Sequence, residues 1–331
     1  MTTIPFVPRI DDAPYATVEQ LTPLVQRVIA NNPSKFTYRG TGTYILGTRD
    51  VVVVDPGPLL ESHQRALEIA LSGRNVVGIA VTHCHADHSP LAAWMKSAYN
   101  CPTFAIGPHA DVVDDEPDDE PDDEPDDADN RDDAAKDDGS TNSEEEPRET
   151  IDRAFAPDIV VSDGQEFVAT SELSLVAVAT PGHTSNHMCV AMPQESALFT
   201  GDHVMGWSTT VVSPPDGDMR AYMASLRKVR ERGDRILWPT HGGPITEPQK
   251  FLDAYIQHRR DREQQIVALL RGGPHTIREL VAIMYADVAK PLHKPARRSV
   301  WSHLIMLWHD GMVRTASGDP PKKSSTYELI R

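Results

Sequence analysis

Three histidines and an aspartate fall within six residues, His83-Cys84-His85-Ala86-Asp87-His88, and the run before them, residues 76–82, reads VVGIAVT. A continuous apolar run of this length is the pattern of a strand covered on both faces. Such a strand lies inside a layered fold and ends at a sheet edge, where a loop can gather ligands on a rigid support. Imidazole and carboxylate suit zinc, and also manganese or iron. One histidine here would read as an ordinary core or surface residue, but four potential ligands at this spacing do not. Cys84 is expected to point away from any ion, because neighbouring side chains of an extended segment face opposite sides.

Three later landmarks have the same form. His183 follows the alternating stretch LSLVAVAT (173–180), Asp202 ends ALFTGD (197–202), and His241 stands just behind RILWP (235–239). Each is a strand-to-loop junction. His203 is expected to turn away from Asp202, and Met188 and Cys189 to be core residues of a strand at 187–192. Further strands are expected at 40–47, 51–55, 101–106 and 158–161. Helices are expected at 60–72, 89–98 and 218–231. Strands, helix, then strands and helix again predict an α/β fold, with two mixed sheets between helices.

The net charge of −17 says little about the folded part. Residues 111–149 hold 21 Asp and Glu against three Lys and Arg, a net of −18, so the rest of the chain carries about +1. This segment repeats the unit DDEP and has almost no aliphatic residues. It cannot bury enough surface to offset its ordering entropy, and it reads as a disordered acidic insertion.

Residues 248–271 read as one long helix, ended by Gly272-Gly273-Pro274. Beyond it, TIRELVAIMY and PARRSVWSHLIMLWHDG read as helices, and GMVRTASGDPPKKSSTYELI as a hairpin with a long turn. This order is that of a winged-helix module. Trp301 and Trp308, seven residues apart on one helical face, are expected in its core. The expected layout is a main domain over 1–247, a connecting helix over 248–272 and a winged-helix-like domain over 273–331. The start of the chain lacks a basic patch followed by an apolar run, so no export signal is expected. No stretch is apolar enough for a bilayer span, so no membrane partner is expected. Three cysteines, an odd and sparse set, fit a reducing compartment, and the expectation is a cytoplasmic protein.

HxHxDH, then PGHT (181–184), GD (201–202) and THG (240–242), all behind a strand ending in Asp55-Pro56-Gly57, resembles the metallo-β-lactamase superfamily. The resemblance covers roughly residues 20–245. In NNPSKFTYRGTGTYILG, VTHCHADHS, TPGHTSNHM and the C-terminal tail, it is similar to the subgroup of the mitochondrial β-lactamase-like endoribonuclease and its bacterial relatives. It implies an αββα sandwich with a small C-terminal winged-helix-like domain. It also implies two zinc ions: His83, His85 and His183 on the first, Asp87, His88 and His241 on the second, and Asp202 between them. Asp55 would orient the motif loop without binding metal. One departure is Gly42, where relatives usually carry Asn, expected to loosen the loop beside the site. The acidic insertion is the other.

The implied activity is hydrolysis by a metal-activated hydroxide. Asp87 is expected to take the nucleophile's proton, and His187 to act as a proton donor or else as a structural support. The first substrate expectation is a phosphodiester, single-stranded RNA. It rests on the subgroup and on a basic tail, where residues 244–331 hold 14 Lys and Arg against nine Asp and Glu. Arg297, Arg298, Lys322 and Lys323 are its candidate phosphate contacts. The alternatives are a small-molecule thioester or lactone, and a nucleic-acid-binding module without catalysis. Relatives of this group often dimerise, so a homodimer is a further expectation. If the acidic insertion gates the site electrostatically, deleting 111–149 raises activity on RNA, most clearly at low salt.

Overall fold

The computed structural model describes residues 2–7, 13–112, 150–287 and 293–330. The acidic insertion, apart from Asp111 and Val112, and with it the expected gate, lies outside the described residues. Seven strands build the first sheet in chain order: β1 (Val18–Gln20), β2 (Val25–Ile29), β3 (Gly42–Leu46), β4 (Asp50–Val54), β5 (Asn75–Ala80), β6 (Thr103–Ala105) and β7 (Ile159–Val160). The second sheet holds β8 (Glu166–Ala169), β9 (Ser174–Ala179), β10 (Met188–Met192), β11 (Ala197–Gly201) and β12 (Ile236–Pro239), in the order β12-β11-β10-β9-β8.

Period-two alternation explains the layering. Along β4, Val52 and Val54 point into the core between the sheets, with Phe199 and Trp238 of the second sheet. Val51 and Val53 point the other way, under α1 (Glu61–Leu71) and α2 (Leu91–Tyr99). The same split divides β10: Met188, Val190 and Met192 meet the first sheet, while Cys189 and Ala191 meet α3 (Met219–Arg232) and α4 (Pro248–Arg271). Strands covered on both faces need apolar residues at every position, and that is why VVVV and MCVAM are continuous. The result is a four-layer αββα sandwich.

Three strands of the two sandwich sheets, β1, β2 and β8, have no counterpart in the sequence reading. β1 and β8 are edge strands with mostly exposed or half-buried residues. β2 carries Arg27, whose buried guanidinium pairs with Glu19 at 2.7 Å, so a charge breaks its apolar pattern. Gly42 opens β3, within the strand expected at 40–47, and its N–H donates to Thr240 O at 3.0 Å. A Cβ there would lie 3.1 Å from Thr240 O, so the glycine permits a close approach of the two sheets' ends.

The winged helix follows α4: β13 (His275–Thr276), α5 (Ile277–Met284), α6 (His293–His309), β14 (Val313–Thr315) and β15 (Thr326–Leu329), with sheet order β13-β15-β14. A capping box between Thr276 and Glu279 starts α5. Trp301 is buried in this module's core, and Trp308 packs against it half-buried. Among the described residues no helix is long and apolar enough to cross a membrane.

Where α6 meets α4, His303 is buried, and neither ring nitrogen has a hydrogen-bond partner among the described residues. Burial, reinforced by Arg259, Arg262 and His258 of α4, pushes it down to about 3. Its folded value lies below its unfolded one, so this contribution to stability is intact above the unfolded pKa and is lost as pH falls towards 3. At about pH 5 the expected penalty is about 2 kcal/mol, with the unfolded value taken near 6.5. Urea midpoints at pH 7.5 and 5 should show this loss, and His303→Gln should flatten it. A variant that keeps the full acid loss would assign it to other groups.

Candidate metal centre

β4 and β5 run parallel, as do β11 and β12, and β9 and β11 are both antiparallel to β10. The C-terminal ends of all five strands therefore open on one edge of the sandwich. Asp55 follows β4, the His83–His88 loop follows β5, His183 follows β9, Asp202 follows β11 and His241 follows β12. The structure brings all seven candidate donors together here. Their side chains lie at 7% exposure or less, except Asp87 at 24%.

The donor atoms fall into two sets. In the first, His85 Nδ1 lies 3.0 Å from His83 Nε2 and 3.2 Å from His183 Nε2. In the second, Asp87 Oδ2 lies 3.3 Å from His88 Nε2 and 3.2 Å from His241 Nε2. Asp202 stands between them. Its Oδ2 is 3.9 Å from His183 Nε2, and its Oδ1 is 3.6 Å from His88 Nε2 and 3.4 Å from His241 Nε2. A tetrahedral ion with bonds of about 2.0–2.1 Å separates its ligand atoms by about 3.3 Å. The spacings fit that requirement in both sets. His88 Nε2 and Asp202 Oδ1 are buried and have no hydrogen-bond partner among the described residues, as expected of atoms that face a cation. The residues therefore fit a two-ion site.

The protein itself aims these atoms. His88 Nδ1 bonds Asp55 Oδ2 at 2.9 Å, His183 Nδ1 donates to Val211 O at 2.6 Å, and His241 Nδ1 donates to Gly40 O at 3.2 Å. Each bond leaves Nε2 free to face the cluster. Asp55 in turn accepts from Thr82 N and Thr82 Oγ1, both at 2.8 Å. Thr41 Oγ1 donates to Asp87 Oδ2 at 2.8 Å. Thr240 Oγ1 also reaches Asp55 Oδ2, at 3.4 Å. The sequence reading missed all three threonines. For Thr82 and Thr240 the available signal was the Thr-His pair at a strand end, Thr82-His83 and Thr240-His241, whereas Thr41 carries no such mark.

Charge is divided unevenly. Burial, then the neighbouring imidazoles, holds His83 well below its ordinary value and His85 at about 3. His88 and His241 also suffer burial, but the carboxylates of Asp87 and Asp202 outweigh it, raising His88 strongly and pushing His241 up to about 10. The two carboxylates are held below their usual range: burial opposes this, and the same two histidines override it. The second set thus attracts positive charge even from protons, which a divalent ion would displace.

The remaining sequence candidates lie outside the donor sets. Cys84 Sγ accepts from Asn186 Nδ2 at 3.0 Å, and burial pushes the thiol up to about 11. His203 faces the Tyr222 ring, with centroids 5.1 Å apart. His187 is buried; its Nδ1 bonds Thr180 Oγ1 at 2.8 Å, and its Nε2 accepts from Asp202 N at 3.2 Å. Gly201 makes this approach feasible. Its φ is +50°, and a Cβ would lie 2.7 Å from Thr82 Oγ1 and 2.8 Å from His187 Nε2. Gly201→Ala should cost at least about 2 kcal/mol from the left-handed backbone and overpacking together. Chemical denaturation of the metal-free protein checks this, and a loss under half that size would mean that the junction relaxes freely.

Comparison with known proteins agrees with this architecture. The family model described as metallo-beta-lactamase superfamily matches residues 39–241, and one described as beta-lactamase associated winged helix domain matches 276–321. A beta-lactamase-like protein 2 homolog from Caenorhabditis elegans is 31% identical over 301 residues, covering 89% of this chain and 88% of that protein. An atrochrysone carboxyl ACP thioesterase, nsrC, from Aspergillus novofumigatus is 29% identical over 284 residues, covering 82% and 73%. The crystal structure of a beta-lactamase domain protein from Burkholderia ambifaria superposes with a TM-score of 0.71 at 18% identity, covering 99% and 97%. With more than half its length matched by the family model, and with that family's fold, the chain belongs to the metallo-beta-lactamase superfamily.

Proposed function

We propose that this chain is a two-metal hydrolase acting on an acyl thioester. The observation that carries hydrolysis is the pair of donor sets joined by Asp202. In this reading His83, His85 and His183 would hold one ion, Asp87, His88 and His241 the other, and Asp202 would serve both. Divalent ions bound there, zinc or the manganese and iron that suit the same donors, would supply Lewis acidity, lowering the pKa of a water and drawing charge from a scissile carbonyl.

The chain's own residues do the rest. Asp87 has the most exposed carboxylate of the set, at 24% against 7% for Asp202, so it reaches the mouth and takes the proton of the attacking water. Thr41 holds that carboxylate in place. His187 serves as a support for Asp202, since both its ring nitrogens are engaged inside the protein.

The thioester is supported by relatives whose names describe them as acyl-carrier thioesterases and which align with over four fifths of this chain. The phosphodiester reading, single-stranded RNA, is favoured by the winged helix. Against it, two of the four expected phosphate contacts are tied into the fold. Arg298 Nη1 donates to Ser213 Oγ at 2.9 Å, and Lys323 Nζ lies 5.3 Å from the Trp301 ring centroid.

The test is a hydrolysis panel with the zinc-loaded protein: an acyl-N-acetylcysteamine thioester, an acyl-lactone, a cephalosporin, an aryl phosphodiester and single-stranded RNA. An Asp87→Ala/His88→Ala double variant is the control. Thioester turnover lost in the control supports the proposal. Control-sensitive RNA cleavage without thioester turnover replaces it with the nuclease reading.

A further inference from the structure

The segment between β11 and α3, residues 203–213, touches donors of both sets. Thr210 Oγ1 donates to Asp202 O at 2.8 Å, Val211 O accepts from His183 Nδ1 at 2.6 Å, and Gly206 N donates to His241 O at 3.1 Å. One short stretch of backbone and one hydroxyl thus reach three donor residues.

Its other side is gripped by helices remote in sequence. Tyr255 of α4 donates its hydroxyl to Thr210 Oγ1 at 3.0 Å and receives Thr210 N. Arg259, one turn further along α4, donates through Nη2 to Thr210 O. Its Nη1 reaches Ser299 Oγ of α6 at 3.5 Å, so one guanidinium joins the winged helix to the segment.

Arg259 is 3% exposed and has no carboxylate partner among the described residues. Its charge is met only by neutral oxygens and by the rings of Tyr222 and Tyr255, at 5.3 and 5.8 Å. Burying a guanidinium this way is costly, and an apolar side chain would pack the two helices as well. What an apolar side chain cannot do is hold Thr210 O by a charge-assisted bond, one residue from the carbonyl that aims His183.

We infer that Arg259 is a positioning residue for the metal centre, coupling α4 and the winged helix to the segment that orients His183 and Asp202. This rests on the two-ion reading above. Because the coupling passes through Thr210, its loss moves donors in both sets, which removing a surface clamp would not do.

The test uses the full chain loaded with cobalt(II), whose visible spectrum reports ligand geometry, together with metal affinity by chelator competition and thermal unfolding of the metal-free protein. Arg259→Met is expected to alter the cobalt spectrum and weaken metal retention by about 10–100-fold. Arg259→Lys, which keeps a charged donor for Thr210 O, should recover most of it. Tyr255→Phe removes only the hydroxyl from Thr210 and should give a smaller spectral change in the same sense. Arg220→Ala is the structural control: Arg220 of α3 bonds Asp310 and Met306 O near the end of α6 and touches no part of the segment. It should lower the unfolding temperature and leave the spectrum unchanged. If Arg259→Met and Tyr255→Phe lose stability but keep the wild-type spectrum and affinity, the positioning role is overturned. If Arg259→Met fails to fold, Tyr255→Phe decides by the same readings. A wild-type protein that takes up no cobalt overturns the two-ion reading, and this inference with it.

Discussion

Asp202→Ala is expected to lower kcat/KM by at least about a thousand-fold, more than the loss of a single oxyanion donor, and to reduce bound metal from two ions to one or none. The reason lies in its position. Its two oxygens face different donor sets, Oδ2 towards His183 and Oδ1 towards His88 and His241. No other carboxylate among the described donors can span both, because Asp87 meets only His88 and His241. Removing it also strips a counter-charge from those two buried imidazoles, and breaking such a pair costs about 3–5 kcal/mol. Asp202→Asn keeps the volume and one acceptor, so it should retain more stability than alanine but little more activity. Metal content by mass spectrometry, read beside turnover, checks both. An alanine variant that keeps two ions would show that the sets are independent sites.

Asp55→Ala should have the second largest effect, although Asp55 is not expected to touch an ion. It is fully buried and accepts from Thr82 N, Thr82 Oγ1 and His88 Nδ1. Alanine leaves Thr82 N and His88 Nδ1 buried without an acceptor, at about 1–3 kcal/mol each, and removes the 3.4 Å acceptor of Thr240 Oγ1, while Thr82 Oγ1 keeps His83 Nδ1 at 3.0 Å, so a loss of a few kcal/mol is expected. His88 would also lose the bond that turns Nε2 to the cluster, and affinity for the ion it serves should fall about 10–100-fold. Asp55→Asn separates the two effects. Its carboxamide fills the same space but places a donor against either Thr82 N–H or His88 Nδ1–H. Urea midpoints and stepwise metal titration of both variants test this. Equal affinity at every step in wild type and Asp55→Asn would assign Asp55 to packing alone.

The four-layer sandwich was legible because β4, β5 and β10 are covered on both faces, and that burial demands the continuous apolar runs seen in VVVV, VVGIA and MCVAM. The long helix α4 was legible down to its ends, where Pro248 opens it and Gly272-Gly273 follows it. β1 and β8 were not, because an edge strand leaves part of its side chains in solvent and loses the alternation that marks a strand. β2 was hidden by Arg27, whose burial depends on a partner eight residues away in another strand.

By itself, the sequence determined the residue types that can bind an ion and their positions at strand ends, since ligand chemistry and strand periodicity are local properties. It determined the layer pattern for the same reason. Only the tertiary structure decided which nitrogen of each histidine faces the cluster, because that depends on acceptors far away in the chain: Asp55 for His88, Val211 O for His183, Gly40 O for His241. Only it joined Arg259 to Thr210, 49 residues apart, and so brought the C-terminal helices to bear on the metal centre. Such bonds require a donor and an acceptor to meet within about 3 Å, and no periodicity in the chain encodes that meeting.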